Sequence, residues 1–366
     1  MDINVKEIMD NYNFEGTLES CKPYGSGHIN DTYLLTFNTS HPKPCNVVLQ
    51  RINKNVFTKP VEVMENILGV TSYLREQIMK EGGDWERETL SVIPTASGKP
   101  YYIDSEGEYW RVYNYISDAT SYNQVEKPED FYESGVAFGH FQRLLADYPA
   151  HTLHETIPGF HDTKARFLKF KEVVERDVCG RVALVQPEID FVLERQEVAE
   201  IFGELLEGGE IPLRVTHNDT KLNNVMIDNK TGKAICVVDL DTVMPGLAMN
   251  DFGDSIRFGA STGTEDEQDL SKISCDLELF KCYARGFMKG CNGSLTQKEI
   301  ELLPMGAKVM TFECGMRFLT DYLEGDQYFK SYREDQNLDR CRTQFKLVAD
   351  MEEKWDEMHS IIRDLT

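Results

Sequence analysis

Residues 214–241 read RVTHNDTKLNNVMIDNKTGKAICVVDLD and hold the side chains best suited to chemistry. His217, Asp219 and Asn224 follow an H-x-D-x-x-x-x-N spacing in which Leu222 is the one apolar residue, and Asp239 closes a later apolar run. A carboxylate able to accept a proton, beside an amide oxygen and a second carboxylate able to hold Mg²⁺, makes up the groups that phosphoryl transfer needs. Asp219 fits the first role; Asn224 and Asp239 fit the second. Asp and Asn also gather in turns and caps for purely local reasons. Their placement must decide.

The elements around them offer that placement. Two short apolar runs, 225–227 and 234–238, flank Asp228-Asn229-Lys230-Thr231-Gly232-Lys233, the pattern of a β-hairpin. A turn centred on Thr231-Gly232 puts Asn224 opposite Asp239, with Cα atoms roughly 4.5–5.5 Å apart. A bulge or a longer loop would shift the register by one and turn one ligand away. Upstream, 18–37 is strand-like around Tyr24-Gly25-Ser26-Gly27-His28-Ile29-Asn30, whose glycines let backbone N–H groups approach phosphate oxygens or simply make a turn. A third strand covers 47–52. An amphipathic helix over 60–81 carries Glu65 as a candidate ion-pair donor, and further strands cover 89–102 and 108–116. After Ile116 the text turns helical, which places a boundary between a β-rich unit, 1–116, and a mainly helical one, 117–366. Asn250-Asp251-Phe252-Gly253-Asp254 offers a second candidate metal-binding Asp, but Asp239 already has the hairpin position.

Charge and composition narrow the class. A net charge of −23 lacks the basic footprint that nucleic acid or an anionic membrane surface requires. Any phosphate site must then be built from backbone N–H groups, a few basic side chains and a cation. Nine scattered cysteines without C-x-x-C spacing read as free thiols, and His151, His154 and His161 fit no zinc pattern. The acidic start and the lack of a long apolar run make a cytoplasmic protein the expectation, with no obligate protein partner evident. Arg317 sits among apolar residues and needs a partner, Glu313 and Asp321 being near in sequence.

The run HNDTKLNN followed by VVD resembles the catalytic loop and metal-binding Asp of the aminoglycoside phosphotransferase and choline kinase group, relatives of the protein kinases. PYGSGHINDTYL, VLQRIN, WRVYNYI, QPEIDF, LRVTHNDTKLNN, DFGDSIRFGAST, ECGMRFL and DYLEGDQYF together resemble the N-acetylhexosamine 1-kinases of that group. The resemblance implies a two-lobed, protein-kinase-like α+β fold with ATP between the lobes and Mg²⁺ on Asn224 and Asp239. It implies a nucleotide site at Gly25, Ser26, Gly27, Val112, Tyr113 and Tyr115, the strand's backbone meeting the adenine edge. It also implies sugar contacts at His28, Asn30, Arg317 and Tyr328, and a small sugar as phosphoryl acceptor at its 1-hydroxyl. Asp251 and Asp254 would brace the catalytic loop. The third strand departs from the broader group: its usual phosphate-binding lysine is absent, and Gln50-Arg51 stands there. Choline or homoserine kinases, a sugar-binding pseudokinase and a metal-dependent hydrolase are the alternatives.

Overall fold

The computed structural model describes residues 4–25, 29–40 and 45–366. Its N-terminal part is a twisted antiparallel sheet. Strands β1 (Thr17–Pro23), β2 (Asp31–Asn38), β3 (Cys45–Arg51), β4 (Val92–Ile93), β5 (Tyr102–Ile103) and β6 (Tyr109–Asn114) take the order β1-β2-β3-β6-β4, and β5 also pairs with β6. Helix α1 (Val5–Met9) covers one face, where Ile8 meets Leu35, Leu49, Trp110 and Val112. Helix α2 (Pro60–Lys80) covers the other. Its Val63, Ile67, Val70, Leu74 and Ile78 recur at helical spacing and are buried.

Strand alternation therefore splits β6 by face: Trp110 and Val112 belong to the α1 side, and Arg111 and Tyr113 to the side that faces the rest of the chain. Between sheet and helices run helix α3 (Trp85–Glu88) and strand β7 (Ala119–Thr120), which joins β9 (Val225–Asp228) and β10 (Ala234–Val237) in a small sheet of order β10-β9-β7. Strands β8 (Arg214–Thr216) and β11 (Met244–Gly246) form a third ladder.

The remainder is helical: α4 (Pro128–Leu144), α5 (Thr163–Arg176), α6 (Gln186–Leu193), α7 (Gln196–Glu207), α8 (Ala248–Gly259), α9 (Leu277–Cys291), α10 (Gln297–Glu301), α11 (Leu303–Leu323), α12 (Gln336–Glu353) and α13 (Trp355–Arg363). Helices α4 and α9 press backbone to backbone through Gly135, Gly139, Gly286 and Gly290, where any added Cβ would strike a carbonyl of the facing helix. Phe252, Phe280 and Phe287 fill the core beside them. All nine cysteines are free. No described helix is long and apolar enough to cross a membrane.

The hairpin forms, but in a different register from the one its turn residues suggest. Asp228 organises the loop by accepting from the backbone N–H groups of Lys230 and Thr231 and from the Thr231 hydroxyl. A register shift follows between Ala234 and Cys236, after which Val237 pairs with Val225. Val238 N donates to the Asn224 carbonyl at 2.9 Å, so Val238 rather than Asp239 stands opposite Asn224. The side-chain-anchored loop and its bulge are the cause.

Candidate active site

A cavity of 570 Å³ opens between the sheet and the small β7-β9-β10 layer. The lining includes Gly25, Asn30, Gln50, Arg111, Tyr113, Tyr115, Asp219, Lys221, Asn224, Asp239 and Asp241. Asn224 and Asp239 both line the cavity despite the slipped register, and Asp239 leaves the strand there. Its φ of +60° is left-handed, and the chain swings into a short 3-10 turn, Leu240–Thr242. That conformation is unfavourable for a residue with a Cβ and is tolerated best by Asp and Asn.

Asp219 follows Asn218, itself left-handed at φ +64°. The loop that holds both is braced from several sides. The Asp251 carboxylate accepts the backbone N–H groups of His217 at 2.9 Å and Asn218 at 2.8 Å, and Asp254 accepts that of Thr220 at 3.0 Å. Gln142 donates to Asp251 from α4. The D-F-G-like segment thus lies inside helix α8 and supports the loop, as the resemblance implies. His217 is wholly buried against Phe138 and Phe141. Its Nδ1 faces the Asp219 N–H, so Nε2 carries the hydrogen donated to the Val238 carbonyl at 2.9 Å. That bond ties loop to hairpin.

Within the cavity, Asp219 meets Lys221 Nζ at 2.8 Å and receives Asn224 Nδ2 at 3.1 Å. Burial would raise its pKa, but Lys221 and these hydrogen bonds hold it below the ordinary carboxylate value. Asn224 also donates to the Asp219 carbonyl at 2.8 Å, and no donor among the described residues reaches its amide oxygen. Asp239 accepts no hydrogen bond and forms no ion pair with a described residue. Its side chain is exposed to the cavity, yet the desolvating protein around it, and then the charges of Asp241 and Asp219, push its pKa up to about 7, with Arg111 and Lys221 opposing. A free amide oxygen and an unpartnered carboxylate are hard donors suited to Mg²⁺. Among the described residues no three His, Cys, Asp or Glu side chains gather as a complete ligand set.

Several sequence expectations are corrected. Val112 is not on the cavity: its side chain is in the α1 core, and its backbone is paired on both sides, with Leu49 and Ile93. Tyr113 is likewise paired with Val48 and Val92, although its ring lines the cavity, so neither residue can offer its backbone to a base. Asn30 lines the cavity, but its amide is engaged at both ends, donating to Asp241 and accepting from Asn53 N–H. Asp241 is 3% exposed in the 3-10 turn and paired with Arg111. Glu65 faces outward to His154, and Met64 is the α2 residue that meets Arg111. Arg51 pairs with Asp31 near the surface. Ser26, Gly27 and His28 lie outside the described residues.

Arg317 and Tyr328 do not line this cavity. They belong to a second cluster on the far side of the loop, where the Arg317 guanidinium lies 5.5, 5.9 and 5.5 Å from the rings of Phe160, Tyr328 and Phe329. Neither acid near it in sequence pairs with it. Glu313 faces His161 Nδ1 at 2.9 Å and accepts from Thr163 at 2.6 Å, while Asp321 receives the N–H groups of Gln327, Tyr328 and Phe329. His161 Nε2 lies 3.4 Å from the Asn218 carbonyl and so joins this cluster to the loop. Burial acts to raise the Glu313 pKa, but His161, Arg166 and Arg317 together lower it to about 2.

Residues 20–273 match the Phosphotransferase enzyme family over well more than half of the chain. The chain belongs to that family. In fold this phosphotransferase is similar to an aminoglycoside phosphotransferase from Alicyclobacillus acidocaldarius, with TM-score 0.61 at 11% identity over 100% of this chain and 96% of the other. An amicoumacin kinase in complex with AMP-PNP, Ca²⁺ and Ami aligns with TM-score 0.56 at 11% identity, covering 96% and 92% of the two chains. A choline kinase from Cryptosporidium parvum aligns with TM-score 0.55 at 14% identity, covering 97% and 92%. The architecture is the protein-kinase-like α+β fold of this group.

Arg111 and Lys221 are functional candidates that sequence reasoning passed over, while His161 was weighed only as a metal ligand and Glu313 only as a partner for Arg317. Lys221 had a usable signal, two residues beyond Asp219 in HNDTK. Arg111 had a fainter one, a charge at an inward position of an otherwise apolar and aromatic strand.

Proposed function

We propose that the protein is a kinase that moves the γ-phosphoryl group of ATP onto the anomeric hydroxyl of an N-acetylhexosamine, giving the sugar 1-phosphate. In this reading residues 1–116 cover the nucleotide, and 117–366 carry the catalytic loop and the acceptor. Asp219 accepts the hydroxyl proton or orients the attacking oxygen. Its lowered pKa keeps it ionised for that task. Lys221, at 2.8 Å, holds the carboxylate in place and offers positive charge to the transferred group. Asn224 and Asp239 would hold Mg²⁺, which when bound neutralises charge on the bridging phosphate oxygens. The braced loop fixes these groups before substrate arrives, the kind of preorganisation on which phosphoryl transfer depends.

The observation that carries the acceptor class is Arg317. A half-buried guanidinium over three rings, with no carboxylate partner among the described residues, presents a fork of donors to hydroxyl or acetamide oxygens. The same three rings would suit a quaternary ammonium, as in a choline kinase. Arg317 already occupies them and would repel a second cation. An ADP-release assay over N-acetylglucosamine, N-acetylgalactosamine, their free amines, choline and homoserine tests this. Turnover is expected with the N-acetylated sugars and abolished by EDTA; turnover with choline alone would remove the sugar assignment.

A further inference from the structure

The cavity sits in a protein of net charge −23 and is lined by three carboxylates, Asp219, Asp239 and Asp241. Two basic side chains among the described residues line it, Lys221 and Arg111. Lys221 stands beside Asp219, at the transfer end. Arg111 is 1% exposed and belongs to β6. The register places it directly across from Gln50 on β3, and Gln50 across from Thr32 on β2. The three side chains form a ladder along the cavity wall. Arg111 can only donate, so the Gln50 amide must turn its oxygen toward it, accepting from Nε at 3.0 Å and Nη2 at 2.5 Å. The remaining Gln50 Nε2 donates to the Thr32 hydroxyl at 2.9 Å. Nη1 lies 2.5 Å from Asp241 Oδ1, yet that oxygen lacks an aligned hydrogen bond, and the buried Tyr113 hydroxyl nearby has no partner either. Gln50, rather than Asp241, sets the plane of the guanidinium.

We infer that Arg111, carried one strand over from the position where a phosphate-binding lysine would stand, is the cation that anchors the nucleotide's phosphates, and that Gln50 is its positioning residue. The inference rests on the kinase reading of this cavity. A lysine on β3 would extend alone from its strand, whereas an arginine on β6 is held flat by the neighbouring amide and offers Nη1 forward. Asp241, steadied by Asn30, is the counter-ion that Arg111 meets at Nη1. A polyphosphate then competes with Asp241 for Nη1.

The test is calorimetric binding of ADP and of adenosine in EDTA. Arg111→Ala alone would strand a buried carboxylate and endanger folding, so Arg111→Met is made with Asp241→Asn, and Asp241→Asn alone is the reference. Asp241→Asn should bind ADP more tightly than wild type, because the competitor has lost its charge. Adding Arg111→Met should weaken ADP binding by about tenfold or more against that reference and leave adenosine within about twofold. Gln50→Ala should lower ADP affinity a few-fold, again sparing adenosine. Equal ADP affinity in the double variant and its reference overturns the role of Arg111. An equal loss of ADP and adenosine in Gln50→Ala overturns positioning and leaves a structural role. No ADP binding by wild type defeats the kinase reading and this inference together, while adenosine binding with an unmoved ADP constant defeats this inference alone.

Discussion

The two clusters flanking the catalytic loop are opposite in what they leave unsatisfied. On the cavity side the unpartnered group is a carboxylate, Asp239, raised to about 7 by the desolvating protein around it and then by neighbouring negative charge. On the other side it is a guanidinium, Arg317, resting on aromatic faces while Glu313 is fully engaged elsewhere. The first site has a deficit of positive charge, the second a surplus of donors. Neither has a counter-charge among the described residues: Asp239 is exposed to the cavity, and Arg317 is half-buried over its three rings. Each therefore reads as half of a contact that a ligand completes. A divalent cation with a polyphosphate suits the first, and a neutral, oxygen-rich acceptor suits the second. Between them the loop is overdetermined, with Asp251, Asp254 and Thr242 bonding to it and Gln142 holding Asp251 in place.

This contrast can be broken at four points. Asp219→Asn removes the proposed proton acceptor, and turnover should fall by roughly 10²–10⁴-fold with ATP affinity little changed. Steady-state kinetics with nucleotide binding checks it; near-wild-type turnover would remove the assignment of Asp219. Glu313→Gln should destabilise the protein by about 3 kcal/mol at neutral pH, from a carboxyl held near 2 against an ordinary value of about 4.5. Because that pKa is depressed in the fold, the contribution is complete above about 4.5 and lost as pH falls toward 2. Urea unfolding of both forms should show a constant gap down to about pH 4.5, narrowing below it. A gap that widens on acidification would mean Glu313 is not held as an anion.

Arg317→Ala should raise the acceptor KM by about tenfold or more and leave the ATP KM in place, about what the loss of one or two charge-assisted hydrogen bonds predicts. Matched changes in both constants would erase the division between the two sides. The smallest effect belongs to Arg51→Ala. Its partial exposure and pairing with Asp31 at the surface limit the loss to about 0.5 kcal/mol, seen as a small shift in urea midpoint with kinetics unaltered. A large rise in ATP KM there would return the phosphate-binding role to β3.

Much of the site was legible because it is local. HNDTKLNN carries Asp219 and Asn224 within one loop, a few residues apart, so any fold that makes the loop brings them close. The hairpin after it follows from two apolar runs and a polar turn. The register was not legible. It turned on Asp228 anchoring the loop and on one bulge, and a strand's side-chain period of two makes a single slip decisive. Asn224 and Asp239 line one cavity although Val238 is the residue paired with Asn224, and the left-handed turn at Asp239 is not something hairpin geometry foretells.

By itself, the sequence determined the identity of the loop, the presence of the hairpin, the change from strands to helices and the family. These depend on neighbours in the chain, where spacing and residue type are sufficient. Tertiary structure decided which charges meet. Gln50 and Arg111 are 61 residues apart, Asn30 and Asp241 are 211 apart, and His161 and Glu313 are 152 apart. An ion pair or a cross-strand hydrogen bond forms at a few ångströms whatever the separation along the chain. Only the folded arrangement of sheet and helices therefore assigns Arg111 to the cavity, Asp241 to Arg111 and Glu313 to His161, and leaves Asp239 and Arg317 without a charged partner among the described residues.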